Sequence, residues 1–251
     1  MRRTLLFLLP ALVLGAQEPS LSADLARTAR LDLNGLRQLQ ARLAQAEGTP
    51  DQKAYAEAHL GYQVVAQTRG KDPKGAEALL DRTLKALAAR KDAESLALRG
   101  ACLGLKIGFQ PGAAMSLSPE ASGLFREARG LAPASPRVQL LHAVHVLHTP
   151  EFFGGGAKRA LPLLEGAVKA AQAEAPVRDP WAPAWGGPES LAWLALAQLE
   201  AGAPEAAKRS LEAALALDPG YAFARAVLKP KVDAVLAKPA PEAPKAAAGE
   251  R

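Results

Sequence analysis

The sequence predicts an all-α protein, and three observations lead to this prediction. Alanine and leucine, which favour helices, are abundant, and runs of β-branched residues are absent. Hydrophobic residues make up 49% of the 251-residue chain, enough to bury a substantial core between packed helices. Proline recurs directly after a residue that can cap a helix, a pattern typical of helix starts. These starts are Thr49-Pro50, Asp72-Pro73, Ser118-Pro119 and Ser135-Pro136, with weaker caps at Gly187-Pro188 and Ala203-Pro204.

The N-terminal residues 1–16 have the features of a secretory signal peptide. Arg2 and Arg3 precede an apolar stretch, and Gly15 and Ala16 offer small residues for cleavage. The apolar stretch is shorter than the roughly 20 residues that span a bilayer. We therefore expect export to the periplasm or the medium, with membrane contact only through the cleaved peptide; an uncleaved anchor is the alternative.

Both ends of the remaining chain are predicted to carry packing helices. Residues 20–47 place Leu36, Leu39 and Leu43 on one face, which indicates a single amphipathic helix. Residues 220–236 read as a C-terminal capping helix, bent or split at Pro230. The tail, residues 237–251, is rich in proline and alanine and is predicted to be disordered.

Between these ends, residues 49–219 contain a repeated pattern of small and large apolar residues. The clearest copy is "LAWLALAQLEAGAPEAAKRSLEAALALDP", with small residues at Ala195, Ala207 and Ala214 and a closing Pro219. This copy resembles the tetratricopeptide repeat, W-x2-L-G-x2-Y followed by A-x3-F and a proline. Leu191 stands for the tryptophan, Ala195 for the glycine, and Gln198 for the tyrosine.

Three earlier copies follow the same order of residues. Their second helices carry Ala76-x3-Leu80, Ala121-x3-Phe125 and Ala160-x3-Leu164, and their first helices carry Gly61, Gly100 and Ala143. The resemblance implies a right-handed helical-repeat solenoid of about four antiparallel helix pairs, closed by the N- and C-terminal packing helices.

The second and third units are longer than the fourth between their two helices. The insertions "KIGFQPGAAMSLS" and "HTPEFFGGG" should project from one edge of a solenoid and form a shared patch with Phe109, Phe152 and Phe153. The alternative is that these aromatic residues only anchor the insertions against the scaffold. The segment "EAPVRDPWAPAWGGP", with Trp181 and Trp185, should lie on the opposite edge.

Three of the four histidines, His142, His145 and His148, lie on one predicted helix. Their spacing spreads them over about 120° of the helix surface, so all three could hardly bind one ion, although adjacent pairs could chelate. The other interpretation packs His145 between helices and leaves His142 and His148 partly solvated. No cofactor is expected, and a metal or haem site is kept as an alternative.

The glycine triplet before Lys158 and Arg159 has two interpretations. Its backbone amides at a helix start could hold an anion, but the strand and the G-K-[ST] ending of a P-loop are missing. A tight turn with positive φ explains the triplet equally well. No catalytic motif is recognisable, so no enzymatic activity is expected, and the lone Cys102 is predicted to be a buried apolar residue.

The tetratricopeptide resemblance also implies a concave groove lined by the first helix of each unit. The lining residues would be Tyr55, Tyr62, Ala101, Leu140, Val144, Leu196 and Leu199. This apolar lining suits an apolar peptide or helix, or the chain's own N-terminal helix.

The function predicted from the sequence is therefore an exported, monomeric adaptor for a protein or peptide partner in the cell envelope. A nucleic-acid partner is set aside because the formal charge of +6 is spread without a basic cluster. The alternative is a periplasmic small-ligand or metal-binding protein that uses the insertions and the histidines.

Overall fold

The computed structural model describes residues 20–176, 179 and 181–237, except for the side chain of Ala29. Throughout this part of the chain the regular structure is helical, which confirms the all-α prediction. The predicted signal peptide lies outside the described residues, and so does the predicted disordered tail apart from Ala237.

Eleven α-helices follow one another in the described part of the chain. They are α1 Leu21–Leu25, α2 Leu33–Gln45, α3 Pro50–Thr68, α4 Pro73–Leu87, α5 Ala93–Phe109, α6 Ala114–Leu131, α7 Pro136–His148, α8 Ala157–Ala173, α9 Gly187–Glu200, α10 Pro204–Leu217 and α11 Lys229–Leu236. Short 3-10 turns cover Thr28–Arg30, Pro111–Ala113 and Glu151–Phe153, and a π-helical turn covers Ala224–Leu228.

Three of the capped helix starts form as predicted. The Thr49 hydroxyl accepts a hydrogen bond from the backbone of Gln52, whose side chain reciprocates, so a full capping box opens α3. The carboxylate of Asp72 and the hydroxyl of Ser135 cap α4 and α7 in the same way. Helices α9 and α10 begin at Gly187 and Pro204, again as predicted.

The predicted start at Ser118-Pro119 is wrong, because α6 begins at Ala114 and runs through Pro119. Proline there removes one hydrogen bond from the second turn, but the preceding helix-favouring residues keep the turn helical. The insertion "KIGFQPGAAMSLS" therefore lengthens α5 and α6 instead of forming a long loop, and only Gln110–Ala113 separates these two helices.

The N-terminal segment keeps its predicted face but not its predicted continuity. Leu36, Leu39 and Leu43 are all buried against α3. Residues 20–47, however, form α1, a 3-10 turn and α2 instead of one helix. The break occurs where the Asp32 carboxylate accepts a hydrogen bond from the Gly35 amide at 2.8 Å and so caps a new helix.

The C-terminal segment is irregular one turn earlier than predicted. The π-helical turn precedes α11, and Pro230 lies within the first turn of α11, where its missing N–H costs little. Leu228 and Val232 are buried, so this segment covers the end of the core as expected of a capping element.

The core is made by consecutive helices that pack closely. The most extensive contacts join α5 with α6, α7 with α8, and α9 with α10; those of α3 with α4 and of α8 with α9 follow. Every small residue that the repeat pattern singled out is buried, and a Cβ atom at Gly100 would lie only 3.0 Å from the ring of Phe125. Close helix approach therefore depends on these small residues. Within the described residues, none of the helices combines the length and the apolar character needed to cross a bilayer.

Candidate functional site

A cleft of about 540 Å³ opens between α6 and α8, with α7 as its floor. We call it the α6–α8 cleft. Helices α6 and α8 pack mainly on α5 and α7, which leaves a gap between them. The lining residues are Arg126, Arg129 and Gly130 of α6, Pro133 of the following turn, Gln139 and His142 of α7, and Pro162, Leu163 and Gly166 of α8.

His142 is the titratable side chain on the floor of this cleft. Its half-buried ring lies against the ring of Phe125, with 5.5 Å between the ring centroids. Burial, then the positive charge of Arg129 and then His145 lower the pKa of His142 from 6.5 to about 4. The imidazole is therefore neutral at pH 7, the protonation state in which a ring nitrogen can bind a metal. Within the described residues, neither ring nitrogen of His142 has a hydrogen-bond partner.

Arg126 and Arg129 give the cleft its charge. Both side chains are exposed and lie three residues apart on α6, so they project from neighbouring positions of one helix face. Neither forms an ion pair with any residue that the structure describes. Two uncompensated guanidinium groups at the cleft suit a ligand that carries carboxylate or phosphate groups.

The other two histidines of α7 do not join His142 at one point. The ring of His145 also lies against Phe125, and its pKa is lowered by burial and then by His148. His148 is exposed, donates from Nδ1 to the Val144 backbone oxygen at 2.9 Å and contacts the edge of Trp193. In the described part of the chain, no group of three or more His, Cys, Asp or Glu side chains is placed to hold a metal ion.

The residues predicted to line a concave groove contribute to the core to different degrees. Tyr55, Leu140 and Leu196 are buried, and the rest are half-buried against the same core: Tyr62, Ala101, Val144 and Leu199. The groove therefore stays a prediction. Part of the connection between α8 and α9 lies beside Tyr55 and His59. We call this connection the strap; its described residues are 174–176, 179 and 181–186.

Two tryptophans anchor the strap. The Trp185 ring is buried and stacks on His59 of α3, with centroids 4.4 Å apart and planes inclined by 7°. Trp181 lies beside Gly48, where a Cβ atom would come within 2.7 Å of the indole. Both tryptophans of the strap therefore pack against the N-terminal part of the chain.

Arg137 of α7 holds the strap by hydrogen bonds. Its buried guanidinium donates to the Trp185 backbone oxygen at 3.0 Å, to a Glu174 oxygen at 2.9 Å and to Glu94 at 3.1 Å. Burial alone would lower the pKa of Arg137, but hydrogen bonds and charges of Glu174 and Glu94 raise it above its ordinary value. Burial, then the charge of Arg137, lowers the pKa of His59 to about 3.

The predicted edge patch forms only in part. Phe152 and Phe153 are 92% and 68% exposed and contact each other edge to face, with centroids 5.3 Å apart. Phe109 is half-buried against the core and makes no ring contact with either of them. The reason is that the insertion bearing Phe109 is helical and packs, whereas the insertion bearing the other two is a 3-10 turn.

The glycine triplet is explained by its turn. Gly154 and Gly156 have φ values of 85° and 92°, which non-glycine residues rarely adopt. A side chain on Gly155 would overlap the backbone of Thr149. The amides of Gly155 and Gly156 already donate to the backbone oxygens of Pro150 and Val146. Cys102 is buried as predicted, and burial raises the pKa of its thiol.

Sequence reasoning identified His142 but missed Arg126 and Arg129. The i, i+3 spacing of these arginines next to Phe125 could have indicated a charged helix face. The cleft itself depends on a gap between α6 and α8, and no local sequence pattern reveals such a gap.

Comparison with known proteins gives one informative similarity. No protein-family model and no curated protein matches the chain. Among solved structures, the HusA haemophore from Porphyromonas gingivalis is similar, with a TM-score of 0.53 and 26% sequence identity. The similarity covers 72% of this chain and 92% of the haemophore chain.

Proposed function

We propose that this chain is an exported all-α carrier that binds a haem-type ligand in the α6–α8 cleft. The observation that carries the proposal is the placement of neutral His142 and two unpaired arginines around one cleft. Haem combines an apolar plate, an iron that accepts a histidine nitrogen and two carboxylate groups. Each of these three features has a counterpart among the lining residues.

The dimensions and the wall of the cleft support this ligand class. Sites for small molecules and cofactors usually measure about 300–1,000 Å³, and the cleft lies within that range. Pro162 and Leu163 supply apolar surface on α8, where the plate would lie. Arg126 and Arg129 would hold the carboxylate groups by charge-assisted hydrogen bonds.

The structural similarity supports the same ligand class independently of the cleft. The similar solved structure is described as a haemophore, and most of its chain matches this one. The α6–α8 cleft then assigns the binding role to particular residues of this chain.

The scaffold in this proposal is the right-handed solenoid that the tetratricopeptide resemblance implies. Its four antiparallel pairs would be α3–α4, α5–α6, α7–α8 and α9–α10, and three of them, α5–α6, α7–α8 and α9–α10, make the most extensive helix contacts. The burial of the small repeat residues also supports it. Export is supported by the signal-like pattern of residues 1–16. The adaptor function stays a prediction from the sequence.

Titration of the purified chain with haem, followed by absorbance, tests the proposal. We expect saturable binding with one haem per chain. The double variant R126Q/R129Q should bind at least about tenfold more weakly, a loss of about 1.4 kcal/mol. The matched control K208Q/R209Q removes two exposed charges from α10, away from the cleft, and should bind like the unaltered protein. Absence of saturable binding, or equal weakening by both double variants, would refute the proposal.

A further inference from the structure

We propose that the turn Glu151–Phe153, here called the aromatic tip, inserts into the surface of an anionic lipid bilayer. This inference does not depend on the ligand of the α6–α8 cleft. It also goes beyond the expectation that the chain meets a membrane only through its signal peptide.

The aromatic tip exposes the two aromatic side chains with the largest accessible fractions in the described chain. Phe152 is 92% exposed and Phe153 is 68% exposed, and their main ring contact is with each other. Phenylalanine rings are normally buried because their apolar area is large. A pair that projects into solvent therefore indicates a contact with something apolar outside the chain.

The backbone holds the tip in this projecting position. Gly154 ends the turn with φ of 85°, and the Gly156 amide donates to the Val146 backbone oxygen at 2.9 Å. The Thr149 hydroxyl donates to the His145 backbone oxygen at 2.9 Å. These contacts tie the base of the insertion to the end of α7, so the exposure of the two rings is built into the fold.

The charges beside the tip favour an anionic surface. Lys158 and Arg159 are exposed at the start of α8, and neither has an ion-pair partner among the residues that the structure describes. An Arg159 guanidinium nitrogen lies 3.5 Å from the position that a Cβ atom on Gly154 would occupy, which places this charge at the base of the tip. Glu151 offsets one of the two charges, and the balance is positive.

The size and shape of the tip favour a bilayer over a protein partner. Two phenylalanine side chains offer roughly 300–500 Å² of surface, below the roughly 600 Å² that each partner buries in even a small specific protein interface. Insertion into the interface of a bilayer needs only apolar side chains and attraction to anionic headgroups, and aromatic rings are enriched there.

Co-sedimentation with lipid vesicles tests the inference. The protein without residues 1–16 is mixed with vesicles of equal parts phosphatidylglycerol and phosphatidylcholine, or with vesicles of phosphatidylcholine alone. We expect binding to the first kind at low salt, and at least about tenfold weaker binding by F152S/F153S. The control is L131S, because Leu131 is 59% exposed and is the last residue of α6, at the end opposite the insertions. It should bind like the unaltered chain.

A second pair of variants tests the charges. K158Q/R159Q should lose most of the preference for phosphatidylglycerol, whereas K208Q/R209Q should keep it. All the substituted residues are exposed, so thermal unfolding should be unchanged. The inference is overturned if the chain does not bind phosphatidylglycerol vesicles, or if F152S/F153S binds them as well as L131S. Haem titration of F152S/F153S should match that of the unaltered chain. Failure of the membrane proposal can therefore be distinguished from failure of the haem proposal.

Discussion

The guanidinium of Arg137 donates a hydrogen bond to the backbone oxygen of Trp185 at 3.0 Å. The same guanidinium pairs with Glu174, so one side chain of α7 holds both ends of the strap. The Trp185 ring of the strap stacks on His59 of α3. Arg137 thus links the middle of the chain to its N-terminal third.

Replacing Arg137 with methionine should destabilise the protein by about 2–3 kcal/mol. The change leaves Glu94 and Glu174 without their cation, and loss of one partner from a buried pair costs about 3–5 kcal/mol. We place the expected value at or below that range because both carboxylates are partly exposed. Urea unfolding measures it. The control R99Q breaks the exposed pair with Glu120 and should cost at most about 1 kcal/mol. Equal losses would show that Arg137 has no special role.

Acid should destabilise the fold through His59. Its folded pKa of about 3 lies below the ordinary 6.5, so the unfolded chain takes up the proton first as the pH falls. The contribution of the neutral His59 ring to the free energy of unfolding is therefore fully present above pH 6.5, and it is lost progressively as the pH falls towards 3. Glu189 has the opposite effect, because burial raises its pKa from 4.5 to about 7 and its stabilising protonated form is lost as the pH rises through 7.

Comparison with the variant H59F isolates the histidine contribution. Phenylalanine keeps a ring against Trp185 but cannot titrate. Between pH 7 and pH 5 the unfolding free energy of the unaltered protein should fall by about 2 kcal/mol relative to that of H59F. Urea unfolding at both pH values gives this difference. Parallel pH dependence of the two proteins would contradict the assignment.

Two glycines of α5 should respond to alanine with opposite signs. At Gly100 the new Cβ atom would lie 3.0 Å from the buried ring of Phe125, so G100A should cost about 1–3 kcal/mol through overpacking. At Gly108 an added Cβ atom would meet no side chain and no other element within 4 Å. G108A should therefore stabilise the protein by up to about 1 kcal/mol, because alanine favours the helix. Thermal or urea unfolding of both variants checks the signs, and stabilisation by G100A would contradict the close packing.

The sequence predicted helix class and most helix starts because their signals are local. Thr49 and Ser135 cap the helices that follow them, and both residues stand within one turn of the amides they bind. The same local rule failed at Ser118, because a proline in a second turn does not stop a helix that has already begun.

The sequence could not predict the position of the strap or the cleft. The strap depends on a contact between His59 of α3 and Trp185, which are far apart in the chain. The cleft depends on a gap between α6 and α8, which no local sequence pattern reveals. The sequence identified His142 as a candidate ligand. It did not show that His142 lies against Phe125 whereas His148, on another side of α7, lies against Trp193.

The most direct measurement of the central proposal is the absorbance spectrum of added haem with H142A and H148A. Both variants remove one histidine from α7, but only His142 lines the α6–α8 cleft. We predict that H148A gives the shifted haem spectrum and affinity of the unaltered protein, whereas H142A loses the shift and binds at least about tenfold more weakly. If H142A keeps both the spectrum and the affinity, His142 does not bind the iron and the proposed site is wrong.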